Sequence, residues 1–160
     1  MKTAIYYFSK HGTTKACAEE LKRYLPGETT LIAIDQEIIE PAQYDRIILG
    51  SSIYMGEISR KMKFFIKKHA ESLNKKISGL FICCMYEGEE ALEQFTKAFP
   101  ENLRNTAEAH GIFGGAFHFD KMNFIERKII KKVVQVEKSV SSINNQAIKE
   151  FAKQLSHCNQ

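Results

Sequence analysis

The segment Thr3-Ala4-Ile5-Tyr6-Tyr7-Phe8-Ser9-Lys10-His11-Gly12-Thr13-Thr14 sets an apolar run directly against a hydroxyl-rich turn. Thr3 to Ser9 is rich in β-branched and aromatic residues, as expected of a strand buried on both faces. From Thr13 to Leu25, Cys17, Ala18, Leu21 and Leu25 recur at helical spacing until Pro26-Gly27 stops the run. The turn from Ser9 to Thr14 therefore joins hydroxyls, a glycine and a helix N-terminus. Backbone N–H groups at such a point face outward and the helix dipole favours negative charge, which makes an anion site. Gly12 would let the backbone approach a phosphate closely. Taken alone, the same residues are explained equally well by an ordinary N-cap from Thr13 or Thr14.

Outward from this segment, strand and helix patterns alternate. Thr29 to Ile34 and Arg46 to Ser51 read as the second and third strands. A third helix places Ile58, Met62, Phe65, Ile66, His69 and Leu73 on one face. Gly79 to Met85 is a fourth strand, followed by helical patterns over Ala91 to Phe99 and Leu103 to Ala109. Ile112 to Phe119 reads as a fifth strand, with Gly111, Gly114 and Gly115 at or near its start, and Ala147 to Leu155 as the last helix. This alternation predicts an α/β protein, a doubly wound five-stranded parallel sheet with helices on both faces and strand order 2-1-3-4-5. In such sheets ligands bind outside the carboxyl ends of the strands, where the strand order reverses. The loops after strands one, three and four are thus the ones to examine.

The bulk composition narrows the class. The chain has 160 residues, 44% hydrophobic and 26% charged, without repeats or low-complexity tracts. One domain spanning 1–160 is expected. The apolar start, Met1 to Phe8, is too short for a signal peptide, and the run Leu80 to Met85 is far too short to span a membrane. Cys17, Cys83, Cys84 and Cys158 read as reduced thiols of a cytoplasmic protein. No spacing among cysteines and histidines supports a metal site. His69 reads as a core histidine, and His118 as a structural or partner-facing one.

Net charge is +4 at pH 7, unevenly spread. Ile58 to Lys76 carries seven basic residues against Glu71 alone, and Lys121 to Lys138 is also basic. Tyr86 to Glu101 is acidic. Solvated helix faces explain these runs, as does attraction to an acidic partner or an anionic lipid surface.

Several motif classes are absent. The turn at Ser9 is not a nucleoside-triphosphate loop, and no Gly-x-Gly-x-x-Gly follows a strand. Gly50-Ser51-Ser52-Ile53-Tyr54 lacks the final glycine of a hydrolase nucleophile elbow. By contrast, Ser9-x-His11-Gly12-x-Thr14 resembles the Ser/Thr-x-Thr-Gly-x-Thr phosphate loop of flavodoxins, with His11 in place of a hydroxyl residue. Ile48 to Glu57 resembles the flavodoxin loop that packs against the flavin ring. It is most similar to the branch that includes menaquinone-dependent protoporphyrinogen dehydrogenases. Ser52-Ile53-Tyr54-Met55-Gly56 matches that branch with Tyr54 shifted by one. Gly115-Ala116-Phe117 and the aromatic, basic stretch from Phe124 to Lys132 resemble it as well.

The resemblance implies FMN. Ser9, Lys10, His11, Gly12, Thr13 and Thr14 would hold its terminal phosphate, with Lys10, His11 and Lys15 adding charge that classical flavodoxins lack there. The isoalloxazine ring would lie between Ser51, Ser52, Ile53, Tyr54, Met55 and Gly56 on one side and Met85, Tyr86, Glu87 and Gly88 on the other. Tyr54 or Met55 would cover one ring face and Tyr86 the other. The Met55–Gly56 peptide would flip to accept from reduced flavin N5, and Glu57, Glu87, Glu89 and Glu90 would surround the ring. The implied function is electron transfer between redox partner proteins. The alternative is a protoporphyrinogen dehydrogenase passing electrons to a quinone, with the Phe124 to Lys138 segment touching a quinone or membrane surface. Nothing in the sequence suggests a nucleic-acid partner.

Overall fold

Five apolar strands, most of them followed by a returning helix, leave the chain one way to bury both sheet faces: a parallel sheet between two helical layers. The computed structural model describes residues 1–36, 38–117 and 140–157. Its elements are β1 (Lys2–Phe8), α1 (Thr13–Tyr24), β2 (Glu28–Ala33), β3 (Arg46–Tyr54) and β4 (Glu57–Ile58). Then come α2 (Arg60–Lys68), α3 (Ala70–Lys76), β5 (Ile77–Cys83), α4 (Gly88–Ala98) and α5 (Glu101–Thr106). The chain continues through β6 (Ala109–Ile112), β7 (Gly114–Phe117), β8 (Val140–Ile143) and α6 (Asn145–His157).

The parallel strands lie in the order β2-β1-β3-β5-β6, which is 2-1-3-4-5 when the five are counted along the chain. β4 pairs antiparallel with the end of β3, and β7 pairs antiparallel with β8 in a separate two-stranded sheet.

Alternation along the strands divides the core in two. Ala4, Tyr6, Ile47 and Leu49 face the layer of α2 to α5, against Met62, Phe65, Leu73 and Phe95. Ile5, Ile48 and Phe81 face α1 and α6, against Leu21, Ile148, Phe151 and Leu155. Each of these large apolar side chains contributes roughly 1.5–3 kcal/mol when fully buried. In β3, Gly50 leaves the space that the Phe81 ring fills, since a Cβ there would lie 2.0 Å from Phe81 Cζ.

Four elements differ from the sequence-based expectation. The fifth parallel strand is Ala109–Ile112, not Ile112 to Phe119. Phe113 N–H still donates to Ile82 O, and then Gly114, at φ 76°, turns the chain out of the sheet into β7. The helical stretch ends at Thr106, so Ala109 is strand rather than helix. Ile58 belongs to β4, and the helix after it is broken at His69 into α2 and α3, although the whole apolar stripe remains buried. β3 continues past Ser51 to Tyr54, because a tight hairpin returns the chain to it through β4. His118, Cys158 and the expected basic helix from Phe124 lie outside the described residues.

Candidate functional site

Strand register gathers the three loops. Phe8 of β1 lies opposite Ser51 of β3, and Ser52 opposite Cys83 of β5. The turns after Phe8, Ser51 and Cys83 therefore leave one rim of the sheet, within about 10 Å of each other at ordinary strand spacing.

The first turn is built by Gly12, the N-cap of α1, at φ 96° in the left-handed region where a side chain is strained. Gly12 offers no capping group. Its N–H donates instead to Ser9 Oγ at 3.0 Å, and its carbonyl accepts from Ala16 N–H at 3.0 Å. Thr13 and Thr14 are buried inside the first helical turn, and neither hydroxyl has a hydrogen-bond partner. The threonines therefore do not cap the helix, which removes the simpler explanation of these residues. A buried hydroxyl without a partner costs about 1–3 kcal/mol. Lys10 swings across to the second loop, its ammonium 3.9 Å from the Tyr54 ring centroid.

In the second loop Ser51 is fully buried, and its hydroxyl donates to Ser52 O at 3.2 Å. Ser52, Ile53 and Tyr54 are half-buried and Met55 is exposed. Met55 (φ 53°) and Gly56 (φ 79°) both adopt left-handed conformations between the paired residues Tyr54 and Glu57, the pattern of a type I′ hairpin turn. Met55 is the only non-glycine with positive φ among the described residues. Lys63 lies 2.7 Å from the Glu57 carboxylate, and that hydrogen bond and charge hold the carboxyl below its usual range. Glu57 is thus neutralised locally.

The third loop begins at buried Cys84, whose thiol donates to Tyr86 O at 3.6 Å. Met85 is half-buried, while Tyr86, Glu87, Gly88, Glu89 and Glu90 are exposed. Between this loop and Ile112, Ile143 and Asn145 opens a cleft of about 590 Å³. Its far wall is held by Asn144, whose N–H donates to Phe113 O and whose side chain caps α6 by accepting from Ala147 N–H.

Below the first turn lie buried thiols. Cys83 is held well above the usual thiol range, first by its contact with Cys17 and then by burial. The Thr14 hydroxyl lies near enough to oppose that rise slightly, though not in hydrogen-bond geometry. Burial also raises Cys84. Cys17, Cys83 and Cys84 are free thiols, and the described residues contain no cluster able to hold a metal.

The first and second loops are therefore in direct contact, whereas the third shares their rim and opens onto the cleft. Sequence reasoning missed the Lys10–Tyr54 contact, which joins residues 44 positions apart. It also missed the hairpin, although an x-Gly pair between apolar runs signals one in Tyr54-Met55-Gly56-Glu57.

A doubly wound sheet with a glycine-built, hydroxyl-lined turn where its strand order reverses defines a mononucleotide-binding α/β protein. The chain belongs to the flavodoxin domain family, whose model matches residues 4–144. It is 24% identical to the protoporphyrinogen IX dehydrogenase [quinone] of Escherichia coli, covering 98% of this chain and 96% of that protein. A protein of the same name from Leishmania major is 23% identical over 84% of this chain and 63% of its own. Among solved structures, a short-chain flavodoxin associated with a bacterial microcompartment superposes with a TM-score of 0.65 at 14% identity, covering 100% and 99% of the two chains. Flavodoxin 2 of Bacillus cereus gives 0.59 at 20% identity, covering 99% of each. A variant flavodoxin from Fusobacterium nucleatum, bound to flavin mononucleotide, gives 0.56 at 15%, covering 98% and 95%. FMN, the cofactor that goes with this domain, suits the first turn: the unpartnered Thr13 and Thr14 hydroxyls and an uncapped helix start are donors matched to a phosphate.

Proposed function

We propose that Ser9 to Thr14 hold the terminal phosphate of FMN, that Ser51–Gly56 and Met85–Gly88 flank its ring, and that the protein passes electrons between redox partner proteins. The observation that carries this reading is the pair of buried, unpartnered hydroxyls on Thr13 and Thr14. When bound, FMN supplies one- and two-electron redox chemistry at a flat ring. The chain's own residues set its surroundings. Gly12 keeps the phosphate approach open, and Ser9 fixes the turn by accepting the Gly12 N–H. Met55 and Tyr86, both exposed at the rim, would cover ring faces, while Tyr54 already has Lys10 against one side. Glu87, Glu89 and Glu90 add negative charge near the ring, which disfavours electron uptake, and Lys63 cancels the contribution of Glu57. Titration of flavin-free protein with FMN and with riboflavin tests the phosphate assignment, which predicts a clear preference for FMN. Equal affinities would overturn it.

A second reading, an FMN-dependent dehydrogenase acting on protoporphyrinogen and delivering electrons to a quinone, is favoured by two observations. The curated relatives above carry that name along most of this chain's length. The cleft beside Tyr86 also offers room for a small-molecule substrate next to the proposed ring. Among the described residues no helix is long and apolar enough to cross a membrane. Porphyrin formation from protoporphyrinogen with a menaquinone analogue decides between the two. An electron carrier exchanges electrons with a reductase and forms no porphyrin.

A further inference from the structure

The basic run at α2 is not explained by the flavin. Arg60 and Lys61 occupy the first turn of α2, where the helix dipole disfavours positive charge, and that turn contains no acidic residue. Lys67 and Lys68, in the last turn, suit the dipole. Lys63 is satisfied by Glu57. Among the described residues Arg60, Lys61 and Lys68 form no ion pair, although Arg60 lies near enough to Glu57 to help Lys63 hold that carboxyl down. Lys61 only reaches toward Phe8, its ammonium 6.0 Å from that ring.

Between these cations sits apolar surface. Phe64 is 67% exposed and Ile38 is 43% exposed, large values for such side chains. They border a concave pocket of about 300 Å³ whose floor is Ile34 and Phe65 and whose rim carries Arg60, Lys61 and Lys68. The pocket adjoins the rim of the sheet from which the candidate flavin loops emerge, since Ile34 N–H donates to Tyr7 O at the end of β1.

We infer that this face docks an acidic protein partner, which seats one apolar side chain in the Phe64–Ile38 pocket and places carboxylates on Arg60, Lys61 and Lys68. Charge complementarity sets the sign of the partner. The shape sets its kind. A concave pocket takes a single anchoring side chain, the usual centre of a protein–protein contact. A lipid surface needs a broad protruding apolar face, but α2 commits Met62, Phe65 and Ile66 to the core and leaves Phe64 alone exposed. Nothing in this inference requires flavin, so it stands or falls separately from the proposed function. If the chain carries electrons, the patch brings an acidic partner to the mouth of the site.

The test uses the full chain and a fluorescein-labelled acidic peptide with one central Trp between runs of Glu, read by fluorescence anisotropy. Binding is expected at low salt and should weaken about tenfold or more on going to physiological ionic strength. Phe64→Ser, and separately Arg60→Glu with Lys61→Glu, should each abolish most of it. Lys149→Glu with Lys153→Glu on α6 should leave it intact. The Arg60, Lys61 double reversal should melt no lower than the wild type, because acids now suit the helix start. No binding at low salt would overturn the inference. So would undiminished binding by the Phe64 variant or by the Arg60/Lys61 variant, a lowered melting temperature of the double reversal, preferential binding to phosphatidylglycerol vesicles, or self-association that buries Phe64.

Discussion

Two threonine hydroxyls at the start of α1 are buried without partners, a cost that the fold alone does not repay. Thr14→Val should therefore weaken FMN binding by about 1–3 kcal/mol while leaving the flavin-free protein as stable as before or more so. Flavin-fluorescence titration and thermal melting of the flavin-free form measure the two halves. A loss of stability with unchanged FMN affinity would show Thr14 to be structural. Met55 carries a different strain, being held at φ 53° in the hairpin turn. Met55→Asn should stabilise the protein by up to ~1 kcal/mol, because Asn tolerates the left-handed region better. Urea denaturation checks the sign, and a lower midpoint would refute the strain argument.

At the level of elements, the junction of α2 and α3 carries a pH response. His69 is buried there, its ring tilted against that of Phe65 with centroids 4.7 Å apart. Its Nδ1 is 3.5 Å from the Glu40 carboxylate, while Nε2 lacks a partner. Burial holds its pKa below the ordinary 6.5, with Glu40 pulling the other way. The unfolded chain takes up this proton as pH falls through about 6.5, but the folded chain resists until lower pH. Stability from this group is thus complete above that pH and declines below it. His69→Gln should flatten the fall in urea midpoint on acidification, and an unchanged slope would exclude His69 as its source. Within the sheet, Gly50→Ala should destabilise by about 1–3 kcal/mol, since its methyl would meet the Phe81 ring. An unaltered melting temperature would mean that the ring moves aside freely.

For the whole molecule, cofactor binding is linked to folding. FMN at roughly a hundredfold excess over its dissociation constant should add about 2.7 kcal/mol of stability. For a domain of this size that corresponds to a rise in melting temperature of roughly 5–10 °C. Riboflavin, which has no phosphate, should give a smaller rise. Differential scanning fluorimetry compares the two, and identical shifts would remove the phosphate from the binding account. The charge distribution acts on the same scale. Acidic residues stand at the start of α4 and basic ones along α2, so a partner meets opposite fields depending on which helix it approaches.

The local signals were enough for the doubly wound sheet, the turn at Ser9 to Thr14 and the hydrophobic stripe from Ile58 to Leu73. Each rests on near-neighbour periodicity or on a turn residue such as Gly12, which acts within a few positions of itself. Other features depend on residues distant in the chain. Only packing decided that the fifth strand ends at Ile112, because after Phe113 donates to Ile82 its own carbonyl is taken by Asn144 N–H and Gly114 turns the chain out of the sheet. Only packing left the Thr13 and Thr14 hydroxyls unpartnered, laid Lys10 on Tyr54, and set Ile38 beside Phe64 in a cation-rimmed pocket. A side chain's partner, or its lack of one, is a property of the surfaces that folding brings against it, and a pattern along the chain does not contain those surfaces.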